Sequence, residues 1–192
     1  MMAGAEGITI EMMIKLMSKR PRFSGVFLWG EFVYLNIQKF IQQITLMEML
    51  ISLHSYLAYA VLLILILAVA NALKGWLTKK DSFSLEKDFR LSLFALILSH
   101  IQLLLGLAVY FTSASGLNAI QELGMGGLNS AARLLAVEHP FINIVAIVLI
   151  TIGWSKHKKV MGATAKFKKI AIFYGLGLLL ILSRIPWGQW FS

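Results

Sequence analysis

The sequence predicts an all-α integral membrane protein built as a four-helix bundle with antiparallel, up-down topology. The 192 residues are 58% hydrophobic and 14% charged. The mean hydropathy is +0.77, which is too apolar for a soluble domain of this length. Four apolar runs approach the ~20 residues that a helix needs to cross the hydrocarbon of a bilayer. Because a segment in lipid must satisfy its own backbone hydrogen bonds, helices are expected rather than strands.

Short polar connections separate the four predicted spans. The spans cover about residues 50–74, 91–113, 138–155 and 170–188. The third span is short for a crossing unless its helix begins before Pro140. Proline is tolerated in the first turn of a helix, so a start at about residue 138 and an earlier start both remain open. Residues 114–138 contain several glycines and a helical apolar pattern. We expect them to form an amphipathic stretch at the membrane surface.

Basic residues predict how the spans are oriented. Residues 74–90 carry five lysines and arginines and residues 156–169 carry six, whereas Arg133 is alone between the second and third spans. Because cytoplasmic loops are enriched in these residues, we expect both basic loops in the cytoplasm and residues 114–139 and the C-terminus outside, in the inner (cytoplasmic) membrane. This distribution accounts for the net charge of +9, so the expected partner is the lipid bilayer and not nucleic acid.

Residues 1–46 form an N-terminal extension to the predicted transmembrane domain, residues 47–192. The extension carries five basic residues, which disagrees with the orientation above. Seven of the nine methionines lie within the first 49 residues, and we expect that translation starts at Met47 or Met49. The alternative is an amphipathic helix over residues 30–46, with Val33, Ile37 and Phe40 on one face.

Several chemistries have no support in the sequence. The chain has no cysteine, which excludes disulfides, thiolate metal sites, iron–sulfur clusters and covalently attached haem. The HExxH, GxxxxGK[ST] and GxGxxG motifs are absent from the sequence. No serine or threonine pairs by spacing with a base and an orienting acid. We therefore predict no catalytic residue.

Three histidines, His54, His100 and His139, lie on three different spans. Placing an ionisable side chain in lipid costs free energy, so such residues usually indicate a functional site. Imidazoles from facing helices can hold a b-type haem without covalent attachment. At ~1.5 Å of rise per residue from the inner-side basic residues, His54 and His139 lie level within ~5 Å, with His100 ~10–15 Å deeper. Measured from nearby aromatic residues, His139 falls between the other two. We expect His54 and His139 as ligands, with His100 as the alternative.

Four further residues are candidates for holding the cofactor. We expect Glu138 to accept the other ring N–H of His139, and Asn143 follows one turn later on the same face. Arg133 and Arg184 map to the outer side, where haem propionates need cationic partners, and contact with lipid headgroups is the alternative. His157, which lies among lysines, is expected to be solvated or to contact headgroups.

The second span carries a stripe of small and hydroxyl residues. Such residues let helices approach closely, so we expect the stripe to lie at a helix seam. The same reasoning applies to Gly175 and Gly177 on the fourth span, which would allow close packing or leave room for a ligand. The stripe comprises Ser92, Ser99, Gly106, Tyr110 and Ser113, with Gln102 on its flank.

The segments "SLHSYLAY", "LSHIQLLLG" and "EHPFINIVAIVLITIGWSKHKK" resemble small four-helix bacterial membrane proteins labelled "cytochrome b". The similarity covers roughly residues 50–190, and there is a distant likeness to one half of haem A synthase or to cytochrome b561. The resemblance implies haem b held by two histidines, with membrane electron transfer or haem handling. It carries over only His54, His100 and His139, and their positions do not match the pattern of either larger family cleanly.

The sequence thus leads to a membrane b-type cytochrome that exchanges single electrons with a quinone or another redox subunit. Two other functions stay open. One is a cofactor-free membrane scaffold or assembly subunit whose histidines bond across helices. The other is a small proton-coupled carrier in which His100 titrates at mid-membrane.

Overall fold

The computed structural model describes the backbone of residues 24–190 and the side chains of residues 29–188. Over that range the chain is helical and contains no strand, as the predicted all-α class requires. The α-helices are α1 (Ser24–Leu77), α2 (Arg90–Thr112), α3 (Leu117–Gly127), α4 (Ser130–Arg133), α5 (His139–Lys158), α6 (Ala163–Ser183) and α7 (Trp187–Trp190). Two π-helical turns, Leu85–Phe89 and Leu134–Glu138, run directly into α2 and α5.

Three helical runs of the described chain are long and apolar enough to cross a membrane. They are Trp29–Leu77, Leu85–Thr112 and Ser130–Lys158. This confirms the prediction of apolar helices that suit a membrane protein. Helix α6 is not among them, and three lysines lie within its first two turns. The four-helix antiparallel bundle therefore stays a prediction.

The third helical run begins before Pro140, which is one of the two versions that the sequence left open, and therefore earlier than the predicted 138–155. It continues from Ser130 through Lys158, and the π-helical turn Leu134–Glu138 lies just before Pro140. In this turn the backbone N–H of His139 donates to the carbonyl of Leu134, five residues back. Proline has no N–H and its ring crowds the preceding turn, so a widened turn lets the helix pass through Pro140.

Two compact units divide the chain between Leu46 and Met47. The described part of the first unit, residues 24–46, is the beginning of α1. The side chains of Val33, Ile37 and Phe40 there are 40–64% exposed. Residues 1–23 lie outside the described residues, and the start of translation at Met47 or Met49 stays a prediction.

The core of the second unit is formed by side chains from residues 61–72 of α1 and from α2, α5 and α6. Helices α5 and α6 are in extensive contact. Gly153 on α5 faces Phe173, and Gly177 on α6 faces Ile150. Since neither glycine carries a side chain, the two helices can approach closely.

The polar stripe of α2 lies against its neighbours, as expected for a helix seam. Ser92, Ser99 and Ser113 are buried. The hydroxyl of Tyr174 on α6 donates to the carbonyl of Ser92 at 3.0 Å. Hydrogen bonding thus ties α6 to α2 deep in the second unit.

The stretch 114–138, expected to be amphipathic and to lie at the membrane surface, is divided between two helical segments, and its position at a membrane stays a prediction. Helix α3 has a kink at Gly124, where φ is 65°, and residues 130–138 belong to the helical run that leads into α5. Ala119, Leu128 and Ala136 are buried together in a small cluster. Residues 117–128 therefore pack against the first turns of the third helical run.

A buried carboxylate organises the connection between α1 and α2. Asp88 is 0% exposed and accepts hydrogen bonds from the Asn71 amide at 2.9 Å, the Ser84 backbone N–H at 2.8 Å and the Lys80 ammonium at 3.0 Å. Asn71 lies on α1, whereas Lys80 and Ser84 lie in the connection itself. A carboxylate with three donors can remain buried because its lost hydration is replaced.

His157 is buried and not solvated as the sequence had indicated. It is 2% exposed, and its Nδ1–H donates to the carbonyl of Trp154 at 2.6 Å. The rings of Phe83, Phe89 and Trp154 lie 4.6–6.2 Å from it, centre to centre. Because the α1–α2 connection folds over this end of α5, its aromatic residues cover the histidine.

We expect Gly177→Ala to lower thermal stability in detergent and Gly175→Ala to leave it nearly unchanged. A Cβ at 177 would lie 2.8 Å from Ile150 Cγ1 and 3.0 Å from the Ala146 carbonyl, whereas one at 175 would lie 3.8 Å from Val69 Cγ1. Overpacking costs about 1–3 kcal/mol. Equal melting temperatures for the two variants would contradict the close packing of α5 and α6.

Asp88→Ala should lower the free energy of unfolding by about 1–3 kcal/mol, because the Asn71 amide and the Ser84 N–H lose their acceptor. Asp81→Ala, an exposed aspartate in the same connection, is the matched control and should change it little. Thermal unfolding of both variants in one detergent measures the difference. Equal effects would argue against the buried network.

Candidate functional site

A cavity of about 350 Å³ lies in the second unit between α1, α2, α5 and the end of α6. Most of its walls are apolar, and its polar lining includes His54, Gln102, Tyr110, His139 and Asn143. Ligand and cofactor sites are typically cavities of ~300–1,000 Å³ with apolar walls and a few convergent polar groups. The cavity is therefore the candidate site.

Two of the predicted ligand histidines meet in this cavity. The ring centres of His54, on α1, and His139, at the start of α5, are 6.4 Å apart, and the ring planes are nearly perpendicular at 83°. Both side chains are partly buried. The structure thus brings together the pair that the rise per residue favoured.

His139 is held by a backbone carbonyl. Its Nδ1 lies 2.7 Å from the carbonyl oxygen of Arg184, just past the end of α6. Because a carbonyl can only accept, Nδ1 must carry the proton, and in the neutral ring the lone pair is on Nε2. This second contact is typical of histidines that ligate a metal. The side-chain amide of Asn143 donates a hydrogen bond to the His139 carbonyl at 2.6 Å. This bond supports the first turn of α5.

The expectation that Glu138 orients His139 is wrong. The carboxylate of Glu138 pairs instead with Arg133 at 3.1 Å and with Arg184 at 3.3 Å. Neighbouring residues on a helix point ~100° apart, so the Glu138 side chain leaves the face that carries the imidazole. The cluster holds two guanidinium groups and one carboxylate, so one positive charge is in excess.

His54 lies between a glycine and an amide of α2. The Gln102 amide nitrogen lies 3.1 Å from His54 Nδ1 and donates to the His54 carbonyl at 2.8 Å. A Cβ at Gly106 would approach His54 Cε1 to 3.0 Å. Because Gly106 has no side chain, the imidazole of His54 can occupy this space.

His100 is not in the cavity lining. Its Nδ1–H donates to the carbonyl of Leu96 at 2.8 Å, and its Nε2 lies 3.3 Å from the hydroxyl of Thr151 on α5. His100 therefore links α2 to α5. Among the residues that the structure describes, no group of three or more histidine, cysteine, aspartate or glutamate side chains is placed to hold a metal ion.

Sequence reasoning noted Gln102 only as a flank of the polar stripe and gave it no role. Gln102 and Gly106 are four residues apart and so share one face of α2. A lone amide within an apolar span was the available signal, since such groups usually face a partner. The sequence alone did not show that His54 lies opposite that face.

Comparisons with models of known protein families, with curated proteins and with solved structures find no match. Function must therefore be inferred from the chemistry of the chain's own residues.

Proposed function

We propose that the chain is a membrane b-type cytochrome-like protein in which His54 and His139 hold a non-covalent haem. The observation that carries the proposal is the approach of the two imidazoles, from separate helices, across a mostly apolar cavity. Bound haem would supply one-electron chemistry, and His54 and His139 would hold it within an apolar surrounding. The resemblance of the three histidine segments to small "cytochrome b" proteins points to the same function.

The spacing of the rings supports this proposal. A metal–imidazole bond is about 2 Å long and a ring centre lies roughly 1 Å behind its nitrogen, so two imidazoles on one iron have ring centres roughly 6 Å apart. The observed separation is 6.4 Å. His139 also presents Nε2 without a proton, as a ligand must.

The cluster of Glu138, Arg133 and Arg184 supports a carboxylate-bearing ligand. It adjoins His139 in sequence, and the two arginine side chains are 56% and 46% exposed. Its excess positive charge suits an anionic group, and arginine binds carboxylates through paired hydrogen bonds. We propose that these arginines hold haem propionates, with Asn143 fixing the first turn of α5.

In the proposed arrangement α6 is the fourth crossing helix and the four helices run antiparallel, up and down, in the inner (cytoplasmic) membrane. The basic loops 74–90 and 156–169 face the cytoplasm, and residues 114–139 and the C-terminus lie outside. A single haem near the outer side spans only part of the bilayer. A quinone or another redox subunit is therefore the proposed electron partner.

A cofactor-free scaffold is the second candidate, because every histidine in the described chain already has a hydrogen-bond contact within the protein. The cavity is also at the small end of cofactor sites, so a porphyrin requires neighbouring side chains to move apart. A proton-coupled carrier that uses His100 has less support, since His100 does not line the cavity.

Protein expressed with ample haem should show a Soret band that shifts on reduction by dithionite, with one haem per chain in a pyridine haemochrome assay. His54→Ala and His139→Ala should abolish the band because each removes an axial ligand, whereas His100→Ala should retain it. A folded, colourless wild-type protein that co-purifies with a stable partner would favour the scaffold.

The orientation can be tested by cysteine labelling, because the chain has no cysteine of its own. Lys159→Cys and Gln121→Cys each place one thiol at an exposed position. A membrane-impermeant maleimide applied to intact spheroplasts should label residue 121 and reach residue 159 only after lysis. The reverse pattern would overturn the proposed orientation.

A further inference from the structure

The two basic connections of the second unit meet at one end of it. The ring of Phe83, in the connection between α1 and α2, lies 4.9 Å from the ring of Phe167 on α6, centre to centre. It lies 5.7 Å from the ring of His157 at the end of α5. Residues 74–90 and 156–169 therefore form one surface, which we call the basic end.

Most of the charge on the basic end has no partner within the protein. Its eleven lysines and arginines outnumber its three acidic residues, which gives a net charge of +8. Among the residues that the structure describes, Lys80 is the basic residue of this end that pairs with a carboxylate, that of Asp88. Nine of the eleven are exposed, and Lys166 and Lys169 are partly buried. Because like charges that lie together repel one another, an anionic partner from outside the chain would be favourable.

Aromatic rings hold five of these lysines. Each ammonium lies 5.2–5.9 Å from the centre of a ring, within the range of a cation–π contact. Two of the rings belong to tryptophans, which are enriched where membrane hydrocarbon meets the headgroups. Since an ammonium carries three N–H donors, contact with a ring leaves donors for an anion. The pairs are Lys80 with Phe167, Lys156 with Phe173, Lys158 with Trp154, Lys166 with Phe83 and Lys168 with Trp76.

Apolar helices reach the basic end. Two of the helical runs that are long and apolar enough to cross a membrane end here, at Leu77 and at Lys158, and another begins here at Leu85. Leu73, Leu77 and Leu85 are 39–74% exposed. Cationic groups thus lie beside exposed apolar side chains, which suits a partner that carries an anionic group on apolar chains. A soluble polyanion such as nucleic acid would match the charge but would leave these leucines in water.

We propose that the basic end binds anionic phospholipids of the membrane. The lipid phosphate accepts hydrogen bonds from lysine ammonium groups, and the acyl chains lie against the exposed leucines. Lysine binds phosphate as a point charge, so the number of positive charges matters more than their directions. This binding does not depend on haem, because the residues of the basic end do not line the cavity. A preference for one class of lipid goes beyond the orientation of helices by basic loops.

The test uses the full-length protein in detergent, titrated with phosphatidylglycerol or with phosphatidylcholine of the same acyl chains. Both lipids carry a phosphate, but only phosphatidylglycerol has a net negative charge. Native mass spectrometry gives the apparent Kd for each lipid, and wild type should bind phosphatidylglycerol more tightly. A lysine near an anionic headgroup contributes roughly fivefold in affinity. Lys168→Gln should therefore weaken the binding of phosphatidylglycerol by about that factor and leave the binding of phosphatidylcholine unchanged.

Two further variants are the controls. Lys168→Arg keeps the charge and should bind phosphatidylglycerol as wild type does, which separates loss of charge from a disturbed fold. Lys39→Gln removes one exposed lysine from the first unit and should change neither affinity.

Several results would overturn the proposal. Wild type that binds the two lipids equally does so, as does Lys168→Gln that binds phosphatidylglycerol like wild type. A loss that Lys168→Arg fails to restore, or that Lys39→Gln reproduces, also overturns it. Displacement of the lipid by glycerol phosphate would assign the basic end to a soluble phosphate, and tighter binding of a duplex oligonucleotide would assign it to nucleic acid.

Discussion

The close approach of α5 to α6 is the constraint on which the candidate site depends. Gly153 and Gly177 contribute no side chain to the contact between the two helices, so Phe173 and Ile150 can pack against their backbone. As a result the backbone just past the end of α6 reaches the start of α5, and the Arg184 carbonyl accepts a hydrogen bond from the Nδ1–H of His139. A backbone carbonyl has little freedom to move, so helix packing holds the imidazole of His139 through its Nδ1.

Much of the fold follows from composition alone, and much of the site does not. Apolar runs free of charge predicted where helices form, and the rise per residue indicated that His54 and His139 lie at one level. The sequence left two starts open for the third helical run and could not decide between them, because the start depends on the π-helical turn just before Pro140. The partners of Glu138 and the burial of His157 depend on which faces meet, which hydropathy does not encode.

Two polar clusters of the second unit, those around Asp88 and His54, differ in how fully they are paired. Around Asp88, three donors surround one carboxylate, and that network holds the α1–α2 connection together. Beside His54, the side-chain oxygen of Gln102 has no hydrogen-bond donor among the residues that the structure describes. A complete network contributes rigidity, whereas an incomplete one is costly and persists where another role requires it. The contrast separates a structural cluster from the candidate site.

The two π-helical turns have a consequence for comparing this chain with relatives. Each adds one residue to a helical turn, so the side chains before and after it differ in phase by ~100°. A single pattern of period 3.6 therefore cannot describe the whole stretch from Ser130 to Lys158. A homologue lacking one residue between Leu134 and Glu138 would keep its downstream helix face intact and present Arg133 in a new direction.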